Sequence, residues 1–155
     1  MRLYLVQHGE AMEVAADPDR PLTERGTAGV TRTARFLAGC GLGVDEVWHS
    51  GKTRARQTAE LLAPAVGEAA GLVERAGLSP KDDVAPVAER LAGAGADLML
   101  VGHLPFLGRL ASLLLAGDED ADVVAFRYGC VVCLERDETG AWRVLWMLRP
   151  DALSA

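Results

Sequence analysis

The chain has 155 residues, of which half are hydrophobic and a quarter charged, and its net charge is −6. Such a chain is expected to fold as one domain, residues 1–155, around a buried core. The acidic balance argues against a dedicated nucleic-acid or anionic-membrane binder, because either needs a broad basic face. Three cysteines favour a reducing compartment over a disulfide framework. With no long apolar run and no secretion signal, the expected location is the cytoplasm.

Strand-like and helix-like segments alternate along the chain, which predicts an α/β domain around a largely parallel sheet. Residues 3–6 form an apolar strand, followed by a helix over 23–37 that Thr23 caps and Gly39 or Gly41 ends. A strand over 44–49, a helix over 53–66, a helix over 83–91 and a strand over 97–101 come next. A helix over 105–115 opens at Pro105, and a hairpin of strands 123–135 and 142–148 closes the chain.

Two histidines stand directly after predicted strands. His8 follows the first strand, and His103 follows the strand over 97–101, just before the helix that opens at Pro105. Ligands of open α/β sheets bind beyond the carboxyl ends of parallel strands. Arg54 lies near the start of the helix that follows the second strand, so it can face the same edge of the sheet. Two imidazoles, a guanidinium and helix N–H groups suit a phosphate. Position alone leaves a structural role for each histidine equally open.

Four segments resemble, in order, the motifs of the histidine phosphatase superfamily, and they extend from residue 2 to about residue 115. The first is similar to the Arg-His-Gly signature, and the others to the Leu-Thr-x-x-Gly, Ser-x-x-x-Arg-Ala-x-Gln-Thr and second-histidine motifs. The short length and the Arg-Pro-Leu-Thr segment look most like the SixA-type phosphohistidine phosphatase branch. The segments read Leu5-Val6-Gln7-His8-Gly9-Glu10-Ala11, Arg20-Pro21-Leu22-Thr23 with Gly26, Ser50 with Arg54, Ala55, Gln57 and Thr58, and Val101-Gly102-His103-Leu104-Pro105.

The resemblance implies a three-layer α/β/α fold like that of phosphoglycerate mutases, and a role for each motif residue. His8 would attack phosphorus and become a transient phosphohistidine, which requires one unprotonated ring nitrogen. Arg54 and His103 would bind the phosphoryl oxygens, where charge must be held. No metal or cofactor is implied. The implied substrate-binding residues are Gln7, Gly9, Arg20, Ser50 and Leu104.

Gln7 departs from the family pattern, because an arginine usually precedes the nucleophilic histidine. Glutamine offers N–H donors but no charge and no guanidinium fork. Losing one charge-assisted hydrogen bond of roughly 1.5–3 kcal/mol would slow the reaction roughly ten- to a hundred-fold. Arg20 flanks the same early loop and is a candidate to restore the charge, and an exposed surface arginine is the alternative.

A general acid is harder to assign. Only about 45 residues separate Thr58 from His103, too few for the large inserted segment that carries the acid in bigger family members. We therefore expect an open site, with Asp82 and Asp83 as candidate acids and Glu10 next. Helix capping is the favoured alternative for the two aspartates. A weak acid suits phosphohistidine better than alkyl esters, because a phosphoimidazole protonated on its far nitrogen leaves as a neutral ring.

Other notable residues are expected to be structural. Cys130 and Cys133 lie in an apolar strand, where an offset of three sends side chains to opposite faces. His49 is interpreted as structural. Trp142 and Trp146 are placed on one face of the last strand, as core residues. A helix stripe of three arginines is by default a solvated face; it comprises Arg25, Arg32 and Arg35.

The sequence therefore predicts a phosphatase that hydrolyses phosphohistidine on a protein, through a covalent intermediate at His8. Two alternatives stay open: a general phosphomonoesterase acting on small phosphate esters, and a phosphate- or phosphohistidine-binding adaptor that Gln7 has disarmed. The expected partner is a phosphoprotein or a small phosphate ester, not a nucleic acid or a membrane.

Overall fold

The structure is a computed structural model that describes residues 1–154. Strands and helices alternate through most of residues 1–154, as the sequence predicts. Two single 3-10 turns, Ala63–Ala65 and Pro150–Ala152, follow the second helix and the last strand. The strands and α-helices, in chain order, are β1 (Arg2–Gln7), α1 (Glu24–Gly39), β2 (Glu46–His49), α2 (Thr53–Leu62), β3 (Gly71–Glu74), α3 (Ala85–Ala92), β4 (Leu98–Gly102), α4 (Phe106–Ala116), β5 (Val131–Arg136) and β6 (Trp142–Leu148).

The strands form one six-stranded sheet in the order β3-β2-β4-β1-β5-β6. Strands β1 to β4 are mutually parallel, whereas β5 is antiparallel to β1 and β6 is antiparallel to β5. The largely parallel sheet is therefore confirmed. Gln7 and Gly102, the last residues of β1 and β4, are register partners. Whatever follows these two strands must consequently meet at one edge of the sheet.

Helices cover both faces of the sheet and confirm the three-layer α/β/α arrangement. Leu3 and Leu5 of β1 pack in one core with Leu107 of α4 and with α3. Tyr4 and Val6 point the other way into a second core with α1 and α2. Because β1 is buried on both faces, it is continuously apolar instead of alternating.

The predicted end signals of α1 are confirmed. The Thr23 hydroxyl oxygen accepts the N–H of Gly26 at 2.9 Å, and the helix runs to Gly39. Gly41 follows with a φ of 64°, a left-handed conformation that favours glycine. Other bounds move by a few residues: α2 ends at Leu62, where a 3-10 turn continues, α3 begins at Ala85, and α4 begins one residue after Pro105.

The observed strands differ from the predicted ones at two places, β3 and the start of β5. Strand β3 was not predicted, because it is a four-residue edge strand with alternating exposure and no continuous apolar run. Strand β5 begins at Val131, not at residue 123, and residues 123–130 form a loop. Phe126 in that loop is buried in the core, which gives the segment the apolar character of a strand. Gly129 has a φ of 70°, which breaks strand geometry.

The two tryptophans of β6 lie on opposite faces, which corrects the prediction that they share one. Trp142 packs against the core under α4, whereas Trp146 packs against Tyr4 on the other side. The register shifts between Cys133 and Leu134, whose partners are Trp146 and Val144, so one extra residue reverses the alternation. Cys130 and Cys133 face opposite cores, as predicted. No helix within residues 1–154 is long and apolar enough to cross a membrane.

Candidate active site

His8 and His103 lie side by side at the carboxyl edge of the sheet, each directly after one of the paired strands β1 and β4. Their ring centroids are 5.1 Å apart and the rings are tilted by 54°. The N–H of His8 donates to the carbonyl oxygen of Gly102 at 3.0 Å, which extends the β1–β4 pairing up to the site. Both residues are buried, with exposed fractions of 6% and 1%. The structure thus brings together the two histidines that the sequence singled out.

The His8 ring has one tautomer in its neutral form. Nδ1 lies 2.7 Å from the carbonyl oxygen of Gly9, and a carbonyl oxygen only accepts, so Nδ1 carries the proton. Burial lowers the pKa of His8 to about 4, and the charges of Arg54 and Arg20 act in the same direction. The ring is therefore neutral at pH 7, and Nε2 keeps its lone pair. This is the state that nucleophilic attack requires.

The His103 ring is held by Ser50, which lies in the segment between β2 and α2. Its Nε2 lies 2.7 Å from the hydroxyl oxygen of Ser50. Burial lowers the pKa of His103 to about 3, with smaller contributions from His8, Arg54 and Lys52. Its Nδ1 is buried and has no hydrogen-bond partner. His103 is therefore a second neutral imidazole with one uncommitted nitrogen.

Arg54 and Arg20 supply positive charge to the site. Arg54 stands in the first turn of α2; burial lowers its pKa, and the charge of Arg20 adds to this shift. Arg20 stands in the loop after β1, where its Nε donates to the carbonyl oxygen of Met12 at 3.0 Å. The charge of Arg20 also acts on both histidines. Two mutually repelling cations beside two neutral imidazoles favour an anion between them.

Uncommitted buried polar atoms concentrate at this site. Four buried side-chain nitrogen or oxygen atoms in residues 1–154 lack a partner, and three of them belong to Gln7, Arg54 and His103. Buried groups of this kind are uncommon, and each needs a reason. The unpaired nitrogens of Arg54 and His103 can donate hydrogen bonds to the oxygens of a phosphoryl group. Gln7 is buried directly before His8, with its Oε1 unpaired.

The remaining motif residues hold the loops in place. The Thr58 hydroxyl accepts the N–H of Gly9 at 3.0 Å and donates to the carbonyl oxygen of Arg54 at 2.8 Å. One buried side chain thus joins the loop after β1 to α2. Gln57 accepts the N–H of Leu22 at 2.8 Å and fixes the far end of the same loop. Gly26 is required because a Cβ there would overlap the Glu10 carbonyl oxygen.

Sequence reasoning missed Tyr128 and Lys52. The Tyr128 ring covers His8 at a centroid distance of 5.7 Å while its residue remains 48% exposed. The segment was predicted as strand, and the glycine that follows Tyr128 was the available sign of an interruption. Lys52 precedes α2, and its charge acts on His103.

Of the three candidate acids, Glu10 is the nearest to His8 in the chain, and it lines a groove together with Tyr128. Its Oε1 accepts the Thr23 hydroxyl at 3.0 Å, and Oε2 lies 3.8 Å from Nε of Arg25. Asp82 accepts the N–H of Ser79 and Asp83 accepts the N–H of Ala85, both local contacts. The N-cap of α3 is Val84 and has no side-chain cap, so the helix-capping alternative is not confirmed for either aspartate. The two aspartates line a separate groove with Trp48 and Arg90. The structure therefore does not bring this pair to the histidines.

The other singled-out residues have simple surroundings. Leu104 is exposed beside His103 and lines a groove with Pro105 and Arg127. His49 accepts the N–H of Gly51 at 3.1 Å, a local structural contact. Within residues 1–154, no group of three or more His, Cys, Asp or Glu side chains is arranged to hold a metal ion.

Fold and site together define the class of this protein as a phosphatase. The model of the histidine phosphatase superfamily (branch 1) matches residues 3–79. The chain belongs to the histidine phosphatase superfamily, and its relatives in sequence and structure support the SixA-type branch.

Relatives extend over nearly the whole chain. The phosphohistidine phosphatase SixA of Escherichia coli is 27% identical over 155 residues, covering 97% of this chain and 94% of that protein. An uncharacterised protein of Picosynechococcus sp. is 37% identical over 125 residues, covering 76% and 74%. The solved structure of the protein histidine phosphatase SixA with tungstate has a TM-score of 0.81 at 26% identity, covering 98% and 99%. Phosphoglycerate mutase from Plasmodium falciparum shares the fold, with a TM-score of 0.72 at 17% identity over 94% and 88%.

Proposed function

We propose that this protein hydrolyses phosphohistidine on a protein, and that His8 carries the phosphoryl group as a covalent intermediate. One observation carries the proposal: the bond from Nδ1 of His8 to the Gly9 carbonyl leaves Nε2 of a neutral, buried ring unprotonated. That nitrogen lies beside the second imidazole of His103 and the cations of Arg54 and Arg20. A nucleophile and an oxyanion site are thereby adjacent.

The reaction has two steps of the same kind. Nε2 of His8 attacks phosphorus, a new P–N bond forms, and the P–N bond of the substrate breaks. The substrate imidazole leaves as a neutral ring, because its far nitrogen already carries a proton. Water then attacks the phosphoryl group on His8 and the second P–N bond breaks. His8 leaves as the neutral ring with its proton still on Nδ1, and both protons of the water leave with inorganic phosphate.

The groups around His8 would stabilise the charge on the equatorial phosphoryl oxygens. Arg54 and His103 offer buried nitrogens that have no other partner. Arg20 supplies the positive charge that Gln7 lacks, since its charge acts on both histidines. Hydrogen bonds from charged donors to an oxyanion are about twice as strong as neutral ones. Catalysis in this scheme is positioning and electrostatic stabilisation, with no metal or cofactor.

The substrate class follows from the leaving group and from access. Asp82 and Asp83 are occupied in local contacts away from the histidines, and Glu10 is bonded to Thr23. A leaving group that needs little protonation, such as imidazole, fits this arrangement better than an alkoxide. The residues between Thr58 and His103 are used by β3, α3 and β4, so the site stays open to a protein side chain. The name of the Escherichia coli relative agrees with this class.

Turnover of a histidine-phosphorylated protein by the wild type and by His8→Ala tests the proposal. We expect turnover by the wild type only, with phosphate on His8 detected by mass spectrometry at high pH, where phosphohistidine survives. The matched control is His49→Gln, which replaces another buried histidine but keeps an acceptor for the N–H of Gly51. Turnover by His8→Ala, or phosphate on another residue, contradicts the proposal.

Small phosphate esters as competing substrates separate the two enzymatic alternatives. Higher kcat/KM on an alkyl phosphate than on the phosphoprotein would make the chain a general phosphomonoesterase. Binding of the phosphoprotein by the wild type with no turnover would instead make it an adaptor, with Gln7 as the disarming residue.

A further inference from the structure

An arginine-lined groove of about 250 Å³ opens directly beside the active site. Arg25 and Arg32 of α1 form one wall, Arg127 precedes Tyr128 in the loop before β5, and Arg149 follows β6. We call this feature the arginine groove. Tyr128, whose ring covers His8, lines the groove at the end next to the active site. A segment bound there would be continuous with a phosphohistidine at His8.

The charge of the arginine groove is opposite to that of the molecule. The whole chain has a net charge of −6, yet four arginines line this groove against the two carboxylates of Glu10 and Asp151. Arg25 lies 3.8 Å from Glu10 and Arg149 lies 2.6 Å from Asp151, both as solvent-exposed pairs. Exposed ion pairs contribute little to stability, so the arginines can exchange these partners for carboxylates of another molecule.

Close backbone packing holds the walls of the groove in place. A Cβ on Gly9 would lie 2.8 Å from a methyl of Val30, and a Cβ on Gly129 would lie 2.9 Å from the ring of Pro150. The loop after β1 therefore packs tightly on α1, and the chain after β6 packs tightly on the loop before β5. The backbone segments that carry the four arginines are thus held in fixed positions relative to one another.

We propose that the arginine groove binds an acidic segment next to the phosphohistidine of the substrate protein. The proposal rests on the proposed function and names the partner by its chemistry: carboxylate side chains flanking the phosphorylated histidine. Guanidinium groups bind carboxylates with two parallel hydrogen bonds, which gives direction as well as attraction. Four arginines on an otherwise acidic protein attract such a segment locally and orient it towards His8.

Two matched phosphohistidine peptides test the proposal, one flanked by glutamates and one with glutamines at the same positions. The wild type should favour the glutamate peptide by roughly ten-fold in kcat/KM, mostly through KM, and salt should narrow the difference. Arg25→Glu with Arg32→Glu should abolish or reverse the preference. The control is Arg2→Glu with Arg143→Glu, the same charge change at the opposite end of the sheet, where both residues flank Glu135. Turnover of phosphoramidate should be equal in all three proteins.

Several outcomes overturn the proposal. One is a wild type without preference between the peptides, and another is an equal loss in the control protein. A loss of phosphoramidate turnover in the Arg25→Glu, Arg32→Glu protein would assign these arginines to the phosphoryl group itself. If the wild type turns over neither peptide, the proposed function fails. The affinities of the two peptides for the His8→Ala protein then still test whether the arginine groove binds an acidic segment. Tighter binding of the glutamate peptide that disappears when Arg25 and Arg32 are reversed supports docking, and equal affinities reject it.

Discussion

The hydroxyl oxygen of Ser50 lies 2.7 Å from Nε2 of His103, although the two residues are 53 positions apart in the chain. The same oxygen accepts the N–H of Lys52 at 3.3 Å, so its own proton is free to be donated to Nε2. Because the His103 ring is neutral, with a pKa of about 3, its single proton is then on Nδ1. We infer that Ser50 orients the second histidine as a donor towards the phosphoryl group.

Ser50→Ala should therefore impair catalysis without unfolding the protein. The variant loses the tautomer preference of His103, and we expect kcat/KM on a phosphohistidine peptide to fall roughly ten-fold, the value of one lost hydrogen bond. Ser50→Thr keeps the hydroxyl and serves as the control. Steady-state kinetics measure the effect, and a Ser50→Ala protein as active as the wild type would contradict the assignment.

Arg20 is expected to substitute for the arginine that Gln7 replaces. Arg20→Ala should weaken the binding of tungstate, a phosphate analogue, roughly ten- to a hundred-fold, because a charge-assisted hydrogen bond contributes about 1.5–3 kcal/mol. Adding Gln7→Arg to Arg20→Ala should restore part of the affinity. Titration calorimetry measures both effects. Arg143 lies on β6, away from the site, and Arg143→Ala therefore controls for the loss of one positive charge. Equal tungstate affinities of the wild type and all these variants would show that Arg20 is only a surface residue.

Tyr128 should set the protonation of His8 by covering it. Burial is the main cause of the low pKa of His8, about 4, and the Tyr128 ring contributes to that burial at 5.7 Å. Tyr128→Ala should raise this pKa towards the ordinary imidazole value of about 6.5. Tyr128→Phe should leave it low. An NMR titration of the His8 ring protons measures the pKa, and an unchanged value in Tyr128→Ala would remove Tyr128 from this role.

The stability of the protein should fall as pH decreases from 6.5 to 5. Unfolded histidines take up protons near pH 6.5, whereas the folded rings of His8 and His103 resist until about pH 4 and 3. Protons therefore favour the unfolded state in this window, by up to about 1.4 kcal/mol per pH unit for each histidine. Urea unfolding at pH 7, 6 and 5 measures the slope. His8→Gln should remove the contribution of His8 and leave that of His103, and a wild type without a slope would contradict the low pKa values.

Thr58 should be essential to stability, since its hydroxyl joins Gly9 to α2. Thr58→Val has nearly the same shape but leaves the buried N–H of Gly9 without an acceptor. An unsatisfied buried donor costs about 1–3 kcal/mol, so the free energy of unfolding should fall by about that amount. Thr58→Ser retains the hydroxyl and should lose much less. Denaturant unfolding of the three proteins compares them, and equal stabilities would show that the bridge is dispensable.

Much of the fold could be predicted from the sequence, because its signals are local. The continuous apolar run of β1, the cap of Thr23 and the left-handed glycine after α1 each depend on neighbouring residues only. Predictions failed where packing overrides local pattern. Strand β3 is short and lies at the edge, Phe126 is buried in a loop, and a register shift in β5–β6 places Trp142 and Trp146 on opposite faces.

The sequence by itself determined that His8 and His103 follow strands and that Arg54 stands at the start of a helix, and it therefore predicted that these three side chains meet. Only the tertiary structure decided their chemical state. The pairing of Gln7 with Gly102 brings the two rings to 5.1 Å, and burial lowers both pKa values. The tertiary structure alone also places the Tyr128 ring over His8 and puts Asp82 and Asp83 in a separate groove, each bonded to a nearby backbone N–H. The reason is physical: a residue type and its spacing are local properties, whereas desolvation, hydrogen bonding and charge depend on groups far apart in the chain.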